Sequence, residues 1–106
     1  MQILSYGNKE TMSKRNRKPT TAGEMLKQEF LIPLGLTQRE FAEHIGLEVK
    51  AINRLVNNRT SVTPMLALKL SAALGTTPEF WLNLQIANDL WELRNAKIKL
   101  PKKISA

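Results

Sequence analysis

The sequence predicts an all-α domain of five helices, the last of them the longest. Three observations carry that expectation. Apolar residues recur at spacings of three and four from Ala22 onward, which is the period of a helix packed along one side. Cap and stop residues divide the stretch: Thr37, Thr63 and Thr77 stand where helices open, and Gly35, Gly46 and Gly75 where they close. Alternation with period two is nearly missing; only Ile98 and Leu100, set between lysines, leave room for one short strand.

The first helix is expected over 22–31, where Met25, Leu26, Glu29 and Phe30 give the spacing and Pro33 with Gly35 stops it. Thr37-Gln38-Arg39-Glu40 then reads as a capping box, the threonine hydroxyl accepting from the Glu40 amide while the Glu40 carboxylate reaches back to the Thr37 amide. Leu36 and Phe41 can staple the entry to this second helix. Phe41, Ala42 and Ile45 face inward, and Gly46 closes it. Leu47 and Ile52 form a second staple pair at helix three, which turns Ile52, Leu55 and Val56 to the core. Glu48 occupies its cap position, where Ser, Thr, Asp or Asn serves better. After the polar loop Asn57-Asn58-Arg59-Thr60, Thr63-Pro64 opens helix four. Its run MLALKLSAAL is apolar nearly all round and predicts a central helix, with Met65, like Met25, as core filling. Thr77-Pro78-Glu79 opens helix five, which can run to about Arg94 before Pro101.

The chain divides into a flexible basic arm over 1–19, a domain over 20–95 and a basic tail over 96–106. Its 106 residues, 42% apolar, suffice for one domain. With no cysteine there is no disulfide framework and no thiolate metal site, and a reducing cytoplasm is the expected compartment. The first residues place apolar side chains before charges, the reverse of a secretory leader, and Met12 is a candidate start. The net charge of +7 is concentrated at the ends. Residues 1–18 carry five Lys/Arg against one Glu, residues 94–106 five against none, and the middle six against eight. Such tails bind phosphate backbones non-specifically or keep a small domain in solution. A specific partner has to be read from the middle of the chain.

That middle contains TQREFAEHIGLEVKAINRLVNN, two short helices joined at Gly46. Seven positions fit a helix-turn-helix: apolar Phe41, Ile45, Leu47, Ile52 and Leu55, small Ala42 where the helices cross, and Gly46 in the turn. The arrangement holds helix three out from the domain, where it can enter a DNA major groove. Its outward residues include Val49, Lys50, Asn53 and Arg54. Lys50 and Arg54 can donate to guanine, Val49 can touch a thymine methyl, and Asn53 can read adenine or reach a phosphate. Thr37 and Gln38 at the start of helix two, and Asn57, Asn58, Arg59 and Ser61 after helix three, suit phosphates. Glu48 is unwelcome near phosphate, though it can accept from cytosine N4.

Helix five carries two apolar stripes: Phe80, Leu84, Ala87 and Trp91 on one, Leu82, Ile86, Leu90 and Leu93 on the other. A domain this small has too little core to cover both. One stripe is expected against helices one and four. The other is expected against a second copy of the chain, with Leu82, Ile86, Leu90, Trp91 and Leu93 in a homodimer interface.

The five-helix plan resembles the Cro/C1-type, lambda-repressor-like DNA-binding domain. More narrowly, PTTAGEMLKQEFLIPLGLTQREFAEHIGL and SVTPMLALKLSAALGTTPEFWLNLQIANDLWEL look like the HigA family of antitoxins, with TTPEFWLNLQ the most telling part. The resemblance covers about residues 19–95. It implies a dimeric repressor that binds double-stranded DNA in its own operon and neutralises a HigB-type ribonuclease toxin. It carries base contact over to Val49, Lys50 and Arg54. Members of the wider family also stand alone as transcriptional regulators with no toxin beside them, and that alternative stays open.

An enzyme is not expected. The single histidine, His44, excludes a histidine-based triad or multi-histidine zinc site within the chain. Glu24, Glu29, Glu40 and Glu43 read as helix-surface or capping groups. No metal, cofactor, membrane or small-molecule substrate is expected.

Overall fold

The computed structural model describes residues 17–105. Met12 and the arm up to residue 16 lie outside the described residues. Thr21 opens α1 with a reciprocal cap: its hydroxyl accepts from the Glu24 amide at 3.0 Å, and its own N–H donates to the Glu24 carboxylate at 3.0 Å. The helix then runs as Ala22–Met25, widens into a π-helical segment at Leu26–Leu31 and ends as Ile32–Leu34. It therefore passes through Pro33, where the sequence predicts a stop. In the widened stretch the Ile32 N–H donates to the Lys27 carbonyl, five residues back. A proline ring normally strikes the carbonyl four residues back, and a π turn displaces that carbonyl. Gly35, at φ 66°, ends the helix, and the Leu36 N–H closes onto the Leu31 carbonyl at 2.9 Å.

Four further helices follow: α2 Gln38–Ile45, α3 Val49–Val56, α4 Pro64–Leu74 and α5 Pro78–Asn95. The capping box at Thr37 and Glu40 forms as expected, at 3.0 and 2.9 Å. Gly46 sits at φ 75°, and the Leu47 N–H returns to the Ala42 carbonyl at 2.9 Å. A left-handed glycine there lets the chain reverse between α2 and α3 without a Cβ clash. Pro64 and Pro78 each take a first helical position behind a threonine cap. Helix α2 packs on α3 and α4, α1 crosses α3 and α5, and α4 lies along α5.

Phe41, Ala42, Ile52, Leu55 and Leu70 are all but sealed from solvent, as is Trp81 at the centre. The Trp81 ring meets Phe80 edge-on at 5.1 Å and Phe30 at 5.6 Å. Its indole N–H donates to the Thr76 hydroxyl at 2.7 Å, so the largest core side chain buries no unpaired donor.

Helix α4 departs from the expectation, α5 refines it, and the tail decides what the sequence left open. Helix α4 is not covered all round: Ala67, Leu70 and Ser71 are buried, but Met65 is 63% and Leu68 54% exposed. Met65 is therefore not core filling: α2 and α5 make the main contacts with this helix, and the side that carries Met65 and Leu68 faces water. Helix α5 sets its Phe80 and Leu84 stripe partly inward, against the core, and seals one residue from outside both stripes, Trp81. Half-buried Gln85 and Asn88 continue the Trp81 edge between the stripes at 100° per residue. Phe80, Leu84 and Trp91 flank that edge half-buried, and Ala87 is exposed. Finally, the described residues contain no strand: after Asn95 the chain turns through Lys97, at φ 56°, and continues without regular structure. Ile98 and Leu100 alternate but have no second strand to pair with.

Candidate nucleic-acid interface

Helix α3 is strongly two-faced. Ile52, Leu55 and Val56 anchor its inner side. Lys50, Asn53 and Arg54 stand exposed on the outer side, with Val49 and Ala51 half-buried at the margins. Val49 packs partly against the core, so only part of its side chain can meet a base edge. No described carboxylate pairs with Lys50, Arg54 or Arg59; among the described residues the only ion pair is Lys18–Glu92, at 3.3 Å. The outer side thus presents positive charge that is unpaired among the described residues. Glu48 takes the cap position with extended backbone and no side-chain hydrogen bond to the helix.

The two helices of the motif are tied by a contact that periodicity does not reveal. The Asn53 Nδ2 donates to Gln38 Oε1 at 3.1 Å. This leaves Gln38 with free amide hydrogens and Asn53 with its carbonyl oxygen and one Nδ2 hydrogen. The expected base reader and the expected phosphate contact therefore form one joined pair. Thr37 is satisfied internally by Glu40, so a phosphate there would approach a carboxylate as well as a helix start.

The second polar cluster begins where α3 ends. Asn57 folds its Nδ2 back onto the Asn53 carbonyl at 2.9 Å. Asn58 adopts φ 60°, a left-handed position that asparagine tolerates better than most residues, and the Arg59 N–H closes onto the Arg54 carbonyl at 2.8 Å. Arg59, Thr60 and Ser61 are exposed, and among the described residues the amides of Thr60 and Ser61 donate to no protein group. Those amides, with the Arg59 guanidinium, suit anionic oxygens. The structure thus brings Gln38, Asn53, Lys50 and Arg54 into one surface over two elements, with residues 57–61 continuing beyond α3.

Two residues that hold this surface were not singled out in the sequence. Gly23, inside α1, lies so close to the end of α3 that a Cβ on it would sit 2.1 Å from the Leu55 carbonyl oxygen and 2.8 Å from Asn58 Oδ1. Gln85, on α5, accepts from the Val62 N–H at 2.9 Å. Neither left a signal in the sequence: Gln85 is one of several polar residues along α5, and the neighbours of Gly23 are distant in the chain.

Comparison with known proteins matches the chain to the helix-turn-helix family over residues 26–81. It is 50% identical over 84 residues to antitoxin HigA-1 of Vibrio cholerae, covering 79% of each chain. Among solved structures it resembles the Pseudomonas aeruginosa antitoxin HigA with the higBA promoter, at TM-score 0.71 and 26% identity, covering 74% of this chain and 85% of that one. It also resembles antitoxin GraA in complex with its operator, at TM-score 0.66 and 33% identity, covering 80% and 93%. With the family matched over more than half its length and a relative at 50% identity, this chain belongs to the helix-turn-helix family and, within it, to the HigA antitoxins.

Proposed function

We propose that this protein is a dimeric, sequence-specific repressor of its own operon and the antitoxin of a HigB-type ribonuclease toxin. The observation that carries the reading is the outer face of α3, where Lys50, Asn53 and Arg54 project from a helix whose opposite face is locked in the core. Lys50 and Arg54 are assigned to guanine edges, Val49 to a thymine methyl and Asn53 to adenine. Thr37, Gln38, Asn57, Asn58, Arg59 and Ser61 are assigned to phosphates, which set register without reading sequence. The solved relatives named for their promoter or operator support DNA as the partner.

Dimerisation is supported by α5. Ile86, Leu90 and Leu93 are 53%, 41% and 50% exposed, too much apolar surface on one helix for a lone domain to leave in water. Half-buried Leu82 and Trp91 are assigned to the same interface. A two-fold pairing on this helix presents two α3 helices to a near-palindromic site, their centres about 34 Å or a multiple apart. No helix among the described residues is long and apolar enough to cross a membrane, and the proposed site of action is the cytoplasm.

The test is binding of the purified protein to DNA from upstream of its gene, against scrambled DNA, at two salt concentrations. Preference for its own DNA that persists at moderate salt and falls by on the order of tenfold or more in Arg54→Ala supports the reading. Equal binding to both DNAs, collapsing with salt, assigns the binding to the basic ends alone and overturns it. Capture of a HigB-type toxin by the Lys50→Ala, Arg54→Ala double variant separates an antitoxin from a stand-alone regulator, which would bind its operator and no toxin.

A further inference from the structure

The segment between α3 and α4 carries four of the proposed phosphate contacts, yet few groups hold it. Its first half is closed by the Arg59 N–H on the Arg54 carbonyl at 2.8 Å. Thr60 and Ser61 make no backbone hydrogen bond among the described residues. The next fixed point is Val62, whose side chain is 5% exposed and whose N–H donates to Gln85 Oε1 at 2.9 Å. Gln85 is the one side chain from another helix that bonds this segment's backbone among the described residues. Its amide is itself held, because Nε2 donates to Asp89 Oδ1 at 2.9 Å. The Val62 amide can only donate and the Asp89 carboxylate can only accept, so the glutamine has one satisfactory orientation. Gly23, Gln85 and Asp89 line one cleft of about 260 Å³ together with Asn58, Arg59 and Ser61.

We infer that Gln85 is a positioning residue for DNA binding: by taking the Val62 amide from α5, it sets where Asn58, Arg59 and Ser61 meet the phosphate backbone. The inference rests on the DNA-binding reading. It also gives a role to the last residue of TTPEFWLNLQ, which lies on α5 and not on the reading helix α3. Because α5 is the proposed dimer helix, the same bond ties the phosphate-contacting segment to the element that spaces the two reading heads.

Four variants test it: Gln85→Leu, Gln85→Glu, Asp89→Asn, and Gln85→Glu with Asp89→Asn. Leucine removes the acceptor without changing charge. Glutamate keeps an acceptor but sets a second carboxylate against Asp89, which pushes the two apart. In the double variant the amide introduced at position 89 donates to the carboxylate introduced at position 85. That carboxylate again accepts from the Val62 N–H, at the wild-type net charge. Asp89→Asn alone still accepts from Gln85 and serves as the control. Operator affinity is measured against salt, and hydrogen exchange of the Val62 amide is measured without DNA.

The expected result is a loss of about tenfold in operator affinity for Gln85→Leu and Gln85→Glu, with a shallower salt slope from lost phosphate contacts. Asp89→Asn binds as the wild type does, and the double variant recovers both affinity and Val62 protection. Wild-type affinity in Gln85→Leu and Gln85→Glu, or unchanged Val62 exchange, overturns the assignment and leaves the DNA-binding reading standing. So does a loss that the double variant fails to rescue, which would mark Gln85 as a general packing residue. A wild-type protein that does not distinguish its operator from scrambled DNA overturns the reading itself, and the assignment with it.

Discussion

Gly23 has no room for a methyl group. Its Cβ would meet backbone oxygens of Leu55 and Val56, at 2.1 and 2.8 Å, and backbone cannot swing aside as a long side chain can. Gly23→Ala should therefore lower stability by on the order of 1–3 kcal/mol, as overpacking does, although alanine is the better helix former. Urea unfolding checks this; a gain in stability would mean that α1 and α3 separate easily. Glu48 presents the opposite case. It caps α3 with no side-chain bond and brings a negative charge to the surface assigned to DNA. Glu48→Ser should add about 0.5–1 kcal/mol of stability through the missing cap. It should also tighten binding to scrambled DNA, seen in a titration at low salt. The Glu48 defect was legible in the sequence because capping is a local rule. The Gly23 contact was not, since the atoms it excludes belong to another helix, far along the chain.

At the scale of elements, local chemistry fixes the caps and stops, while packing decides which faces are covered. The Thr37 box, the threonine–proline starts of α4 and α5 and the left-handed glycines all lie where local chemistry puts them. The continuation of α1 through Pro33 depended on a π turn, which residue type does not announce. Helix α4 looked apolar on every side, but only its neighbours decide which sides are covered. Helix α5 is the clearest case, because its inward side includes half-buried Gln85 and Asn88 beside Trp81 and its outward face includes Ile86 and Leu90. Hydrophobicity alone assigns those the other way round. The outward face yields a direct prediction. Ile86→Glu with Leu90→Glu should leave helical content intact, since both side chains are already exposed in the single chain. Sedimentation should then show a monomer, and operator affinity should fall because each chain offers one reading head. A variant that remains dimeric would move the interface elsewhere.

Across the whole molecule, charge and shape are separately arranged. The net charge of +7 lies in the two ends, while the domain between them is slightly acidic and concentrates its exposed cations around α3. Two kinds of DNA affinity are expected: a diffuse, salt-sensitive one from the ends and a discriminating one from the domain. Removing residues 97–106 takes away four lysines, none packed in the core. Its expected effect is weaker binding to scrambled DNA, with the salt slope reduced by up to about 3–4. The preference for the operator should be retained. Loss of that preference would assign the tail a part in recognition.

The all-helical class, the five helices, the turn at Gly46 and the outward set on α3 were determined by the sequence by itself. Each follows from periodicity, capping and turn chemistry, which act within a few residues of the chain. Tertiary structure alone decided that Gly23 braces the end of α3, that Asn53 locks to Gln38 and that Gln85 holds Val62. It also decided that Trp81, between the two apolar stripes, is the residue of α5 sealed in the core. These depend on which surfaces meet after the helices pack, and no rule confined to neighbouring residues contains that information.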